Sequence, residues 1–137
     1  DAIQIMDLTE LKNKFINELS GGQSQRAFLA MTIAQNTNIL LLDEPTTFLD
    51  INYQIKFLES LKSLIQIKNI SIMTVLHDVN LAARFCDRIA ILKEGKLIDI
   101  NTPKKVLNPK NFKKAFEIDS HIINTPFGLQ IIPASKI

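Results

Sequence analysis

The run Ile39-Leu40-Leu41-Leu42, closed by Asp43-Glu44-Pro45, constrains this chain more than any other segment. Four consecutive apolar residues without polar alternation predict a strand buried on both faces, as in a parallel sheet covered by helices. Pro45 stops it, because proline has no N–H to give a ladder. The two carboxylates then fall at the strand's carboxyl end, the edge where open α/β sheets gather ligands. A second apolar run, Ser71 to Leu76, follows a helical pattern from Ile51 to about Ile67. Its apolar set is Ile51, Ile55, Phe57, Leu58, Leu61, Leu64 and Ile65, mostly at steps of three and four. Lys56, Glu59 and Lys62 are left towards solvent. Strand, crossover helix and strand predict a βαβ unit, parallel and right-handed.

Upstream, Ser20-Gly21-Gly22 precedes a helix-competent run from Gln23 to Ala34. Ser20 suits an N-cap, and the two glycines let the backbone come close to a ligand. Unpaired N–H groups and the macrodipole make such a helix start an anion site. Read alone, the three residues fit an ordinary turn capping a core helix better than an anion site. The pair Asp43-Glu44 suits a division of labour. One carboxylate can hold Mg²⁺, largely through water, while the other orients and deprotonates an attacking water. A solvated acidic strand end is the plain alternative. His77 stands at the predicted end of the second strand, and a lone histidine there is either structural or catalytic. Asp78 is placed to cap a helix from Val79 to Cys86, with Cys86 expected as a small buried residue.

In that order, Leu19-Ser20-Gly21-Gly22-Gln23, Ile39 to Glu44 and Thr47 to Asp50 resemble three motifs of the ATP-binding cassette of ABC transporters. They match the signature, the Walker B strand and the D-loop; His77 matches the H-loop. The resemblance implies a P-loop NTPase-like α/β fold, with this chain as its carboxyl-terminal part. Residues 1–35 would end the helical subdomain, 36–101 form the catalytic core, and 102–137 add helices and short strands. It implies that two cassettes pair head to tail around ATP. Ser20, Gly21, Gly22 and Gln23 would act on the partner's nucleotide, with Asp50 also at the nucleotide. Asp43 would be the Mg²⁺ ligand, Glu44 the base, and His77 the residue near the γ-phosphate. One departure is Thr47-Phe48, where serine and alanine are usual in the D-loop; the hydroxyl is kept.

Finer likeness points to a subfamily. Gln25 to Met31, Ala34 to Thr37, Asp43 to Ile51, and Leu76-His77-Asp78 with Asn80 are similar to iron-chelate import cassettes. Haem and cobalamin importers share much of this pattern. The resemblance implies an ATPase subunit that drives uptake of an iron–siderophore or related chelate. Its partners would be a second cassette, an integral membrane permease and, indirectly, a substrate-binding protein. Two alternatives are the carboxyl lobe of a chromosome-associated ATPase, which wants heptads that Asp1 to Glu18 lack, and a ribosome-associated cassette protein.

Composition narrows the classes. At 137 residues with 46% hydrophobic side chains, the chain is one domain or a piece of one, able to form a core. A net charge of +2 argues against nucleic acid. A single cysteine excludes an internal disulfide and suits a reducing compartment. No run reaches the ~18 apolar residues of a membrane span. The expectation is a soluble protein held at the cytoplasmic face of a membrane. The glycines are Gly21, Gly22, Gly95 and Gly128, so no G-x-x-x-x-G-K-[ST] phosphate loop occurs in these residues. The chain is therefore expected to be the carboxyl-terminal half of a cassette, inactive alone.

The flanks add local expectations. Ile3, Met6 and Leu8 share one side of a helix end, and Thr9 caps a second short helix through Phe15. Arg88 to Lys93 and Lys96 to Asn101 form a hairpin at Glu94-Gly95. Thr102 caps a helix at Pro103, and Asn108-Pro109 repeats the device before Lys110 to Phe116. Lys104, Lys105, Lys110, Lys113 and Lys114 form a solvated basic face. His121 to Pro133 makes two short strands about Pro126-Phe127-Gly128, with His121 exposed.

Overall fold

The computed structural model describes residues 2–47 and 49–134, so Phe48 of the D-loop-like run lies outside the described residues. The chain divides into two compact units, Asp1–His77 and Asp78–Ile137. Among the described residues no helix is long and apolar enough to cross a membrane.

The first unit runs α1 (Ala2–Ile5), α2 (Gly21–Ala34), β1 (Ile39–Leu42), α3 (Ile51–Lys68) and β2 (Ser71–Thr74). Between α1 and α2 lie two 3-10 turns, Thr9–Leu11 and Ile16–Glu18. The expected helix from Thr9 through Phe15 is thus only one short turn, and Phe15 stays 77% exposed. A helix that short has too few bonds to offset nucleation. Met6 and Leu8 are buried as expected, whereas Ile3 is not. Arg26 of α2 secures this region, donating through Nη1 to the carbonyls of Met6 at 3.0 Å and Asp7 at 3.1 Å.

β1 and β2 pair in parallel, Ile39 opposite Ser71 through Leu42 opposite Thr74. The crossover is α3, capped at its start by Asp50, whose carboxylate accepts from the Tyr53 N–H at 3.0 Å. It ends at Asn69, φ 52°, a left-handed position that asparagine tolerates. Phe57, Leu58, Leu61 and Leu64 form the buried stripe, while Ile51 falls outside it. Leu40 of β1 and Leu64 of α3 are buried, and with Ile33 of α2 they line one small cleft, so the three elements meet there.

Two expectations about the strands are corrected. β2 ends at Thr74 rather than Leu76, so His77 follows a short loop. β1 is covered on one face only: Leu40 is 3% exposed, but Leu41 is 69% exposed. Ile39, Leu41, Met73 and Val75 are all exposed and form an apolar face that is open among the described residues, while Leu40 turns to the other side.

The second unit contains α4 (Val79–Phe85), β3 (Ile89–Lys93), β4 (Lys96–Asn101), α5 (Pro103–Val106), α6 (Pro109–Phe116), β5 (Asp119–Thr125) and β6 (Gly128–Ala134). Its two antiparallel hairpins enclose a core of Ile91, Val106, Leu107, Phe112 and Ile131. Glu94 (φ 48°) and Gly95 (φ 73°) give the β3–β4 turn the two left-handed positions it requires. Asp78 caps α4 through the N–H groups of Asn80 and Leu81. Asn80 in turn makes a reciprocal pair with the Ile131 backbone, donating at 3.3 Å and accepting at 2.7 Å. Asn108 caps α6 as expected, but the Thr102 side chain makes no capping bond on α5. Cys86 is half-buried rather than buried, since α4 ends before it. His121 is exposed, and Lys113 pairs with Asp119 at 2.8 Å.

Leu64 is fully buried where three elements of the first unit meet. Leu64→Ala is expected to destabilise that unit by about 2–5 kcal/mol, and Ile51→Ala by no more than about 0.5 kcal/mol, in urea denaturation. Equal losses would show that the buried stripe of α3 is wrongly placed.

Candidate functional site

The parallel register brings two chain ends together. Beyond Leu42, opposite Thr74, the ladder continues with one bond from the Val75 N–H to the Leu42 carbonyl at 2.9 Å. Residues 43–47 therefore run beside residues 75–77. His77 Nε2 lies 2.6 Å from Glu44 Oε1, so the two expected catalytic residues are in direct contact. Both remain open to solvent, the His77 side chain 69% and the Glu44 side chain 42% exposed.

Glu44 sits at φ 46°, a left-handed backbone that a non-glycine residue adopts only when its surroundings hold it. The Thr47 N–H closes a turn onto the Glu44 carbonyl at 3.2 Å, and Thr47 Oγ1 donates to Glu44 Oε2 at 3.2 Å. Gln25 of α2 donates through Nε2 to the Pro45 carbonyl. Gln54 of α3 donates through Nε2 to the carbonyls of Thr46 at 3.1 Å and Leu49 at 2.9 Å. Two glutamines from flanking helices thus hold the loop that carries Glu44. Gln25 lies in the run that resembles import cassettes, and Gln54 is a polar residue within the α3 pattern. Only the folded loop reveals what either amide does.

Asp43 is exposed and makes no hydrogen bond or ion pair among the described residues. Among those residues no group of three or more His, Cys, Asp and Glu side chains gathers as metal ligands. One open carboxylate still fits Mg²⁺, which keeps several waters and takes few protein ligands.

Ser20 to Gln23 occupy the start of α2, and the helix begins at Gly21, two residues earlier than predicted. Ser20 Oγ accepts from the Gln23 N–H at 3.4 Å, and Gln23 Oε1 accepts from the Ser20 N–H at 2.9 Å. This capping box turns both side chains onto the helix itself. The N–H groups of Gly21 and Gly22, first in the helix, have no intrahelical acceptor. A methyl group at Gly21 would meet nothing within 4 Å, so the space on its Cβ side is open. At Gly22 it would meet Leu49 Cδ2 at 3.4 Å, the limit of ordinary contact. Asp50, expected at the nucleotide, has a local task here as the cap of α3.

Residues 1–47 match the family model described as ABC transporter. The chain is 45% identical over 88% of its length to a petrobactin import ATP-binding protein of Bacillus anthracis, covering 44% of that protein. It is 41% identical over 91% of its length to the ferric enterobactin transport ATP-binding protein of Escherichia coli (strain K12), covering 46% of that one. It thus spans about half the length of the curated relatives it matches. Among solved structures, one described as a metal-chelate type ABC transporter in an inward-facing conformation superposes with a TM-score of 0.86 at 25% identity. That match covers 98% of this chain and 55% of the other. The dimeric cassette MJ0796, bound to ADP and Pi, gives 0.66 at 35% identity, covering 74% of this chain and 44% of the other.

The Gln54 amide is the strap whose removal tests the loop. Gln54→Leu is expected to cost about 1–3 kcal/mol by leaving two carbonyls short of a donor. Amide exchange at Leu49, whose N–H bonds the Thr46 carbonyl, should accelerate. Unchanged exchange there would mean the loop holds its shape without Gln54.

Proposed function

We propose that this chain is part of an ABC transporter ATP-binding subunit and supplies the hydrolytic strand ends and the signature helix of an importer's ATPase, as its similarity to such subunits supports. The observation that carries this reading is the Glu44–His77 contact at 2.6 Å, at the carboxyl ends of two parallel strands. Glu44 is the general base. Its carboxylate takes a proton from the attacking water, and its oxygens keep lone pairs for that water beyond the contact with His77 and the bond from Thr47. His77 orients the carboxylate and contacts the γ-phosphate of the bound nucleotide. Asp43 holds Mg²⁺, which when bound neutralises charge on the phosphates. Ser20, Gly21, Gly22 and Gln23 serve a nucleotide on a partner cassette, offering the open N–H groups of a helix start. Asp50 positions the D-loop beside that nucleotide by capping α3.

The phosphate loop, which this sequence does not contain, comes from the rest of the cassette. That remainder also covers the open face of Ile39, Leu41, Met73 and Val75, a contiguous apolar surface on a two-stranded parallel sheet. The cassette works as a head-to-tail pair, at the cytoplasmic face of a membrane, on a permease fed indirectly by a substrate-binding protein. The names of its relatives support an iron–siderophore or related chelate, with haem and cobalamin as neighbouring substrates.

In the complete cassette, Glu44→Gln should keep ATP binding and lower turnover by roughly 10²–10⁴-fold, with the ATP-bound pair accumulating. Normal hydrolysis by this variant would remove Glu44 as the base. Deleting the gene should impair growth on iron chelates under iron limitation, and Glu44→Gln should fail to restore it. Undiminished chelate uptake after deletion, with no redundant cassette present, would sink the substrate class and leave the ATPase reading standing.

A further inference from the structure

We infer that Thr47 is a positioning residue for the Glu44 carboxylate, through its hydroxyl. The inference rests on Glu44 being the base. Glu44 Oε1 is held by His77 Nε2 at 2.6 Å, and Thr47 Oγ1 donates to Oε2 at 3.2 Å. Oε1 is thus met by the His77 ring and Oε2 by the Thr47 hydroxyl, so the plane of the carboxylate is set from both ends. With His77 alone, the group would still rotate about the terminal torsion, which is broad for glutamate.

The surroundings make Thr47 a firm support. Its N–H bonds the Glu44 carbonyl at 3.2 Å, so backbone and side chain grip the same residue across one turn. The next residue back, Thr46, is 8% exposed, and its carbonyl is taken by Gln54. Pro45 is anchored through its carbonyl to Gln25. The turn is thereby fixed from α2 and from α3 while Thr47 stands exposed on its outer side. A threonine is also stiffer at χ1 than a serine, because two heavy atoms crowd its Cβ. Its hydroxyl keeps its proton throughout the reaction. Its oxygen retains lone pairs able to accept from a water beside Glu44.

The test measures steady-state ATP hydrolysis in the complete cassette. Thr47→Val keeps the shape and β-branching but loses the donor. Its kcat should fall about tenfold, the rate equivalent of one hydrogen bond to a charged group, with KM for ATP changed less than about twofold. Thr47→Ser should recover most of the lost kcat, because it restores the hydroxyl. Added to Glu44→Gln, Thr47→Val should have no further effect, since the group it positions is already absent. Wild-type turnover in Thr47→Val, beside an inactive Glu44→Gln, would overturn the inference and keep Glu44 as base. So would a Thr47→Ser as impaired as Thr47→Val, which would assign the effect to the methyl group. A raised KM at unchanged kcat would place Thr47 in nucleotide binding and equally overturn it. Normal turnover in Glu44→Gln would overturn the base reading and this inference together.

Discussion

The parallel pairing of β1 with β2 is the constraint on which the first unit depends. Leu42 opposite Thr74, extended by the Val75 bond, sets residues 43–47 against residues 75–77. A slip of one residue would move Glu44 out of reach of His77 and turn Leu40 away from the core. Parallel strands cannot be joined by a tight turn, so the register also requires α3. That helix is stopped at both ends by single side chains suited to the task, Asp50 at the start and Asn69 at the end. Its buried leucines then hold the crossover against the sheet.

Hydrogen bonds, together with the burial of Leu49, shape the loop after β1. Pro45 and Thr46 expose carbonyls to their neighbours, and amide side chains from α2 and α3 satisfy them. A neutral amide donates to a carbonyl without the desolvation cost of a charge. The loop can therefore keep a left-handed Glu44 while staying polar and accessible. The start of α2 follows the opposite logic. There the polar side chains of Ser20 and Gln23 bond each other's backbone, and what faces outward is the backbone itself. An anion approaching this end meets N–H groups and glycine surface, which fits the two-glycine sequence better than any side-chain ligand would.

The two faces of the β1–β2 sheet differ in how far they are covered among the described residues. Leu40 is buried, whereas Leu41 and Met73 are each 69% exposed. The second unit shows the contrasting case. Ile91, Val106, Leu107, Phe112 and Ile131 come from two hairpins and two helices, and each is nearly inaccessible. Antiparallel hairpins with helices on one side bury that side without a long crossover.

Much of the candidate site is legible in the amino-acid order alone. Ile39 to Leu42 reads as a strand, and Ser20, Asp78 and Asn108 read as caps, because these depend on a few adjacent residues; the capping of α3 by Asp50 emerges only in the structure. The pairing of carboxylates at a strand end with a histidine after a second strand follows from the βαβ pattern. What the order could not show is which atoms touch. The bond of Thr47 to Glu44 depends on a turn whose backbone departs from ordinary φ. The straps from Gln25 and Gln54 join residues 20 and 8 positions from their acceptors, through helix packing that no local signal encodes. The burial of each strand face is equally beyond local signals. An apolar residue such as Leu41 carries the tendency to be covered, but only tertiary structure supplies the surface that covers it. The mutual contact of Glu44 and His77 was likewise decided by the fold, since sequence places each beside a strand end and register alone brings them within 2.6 Å.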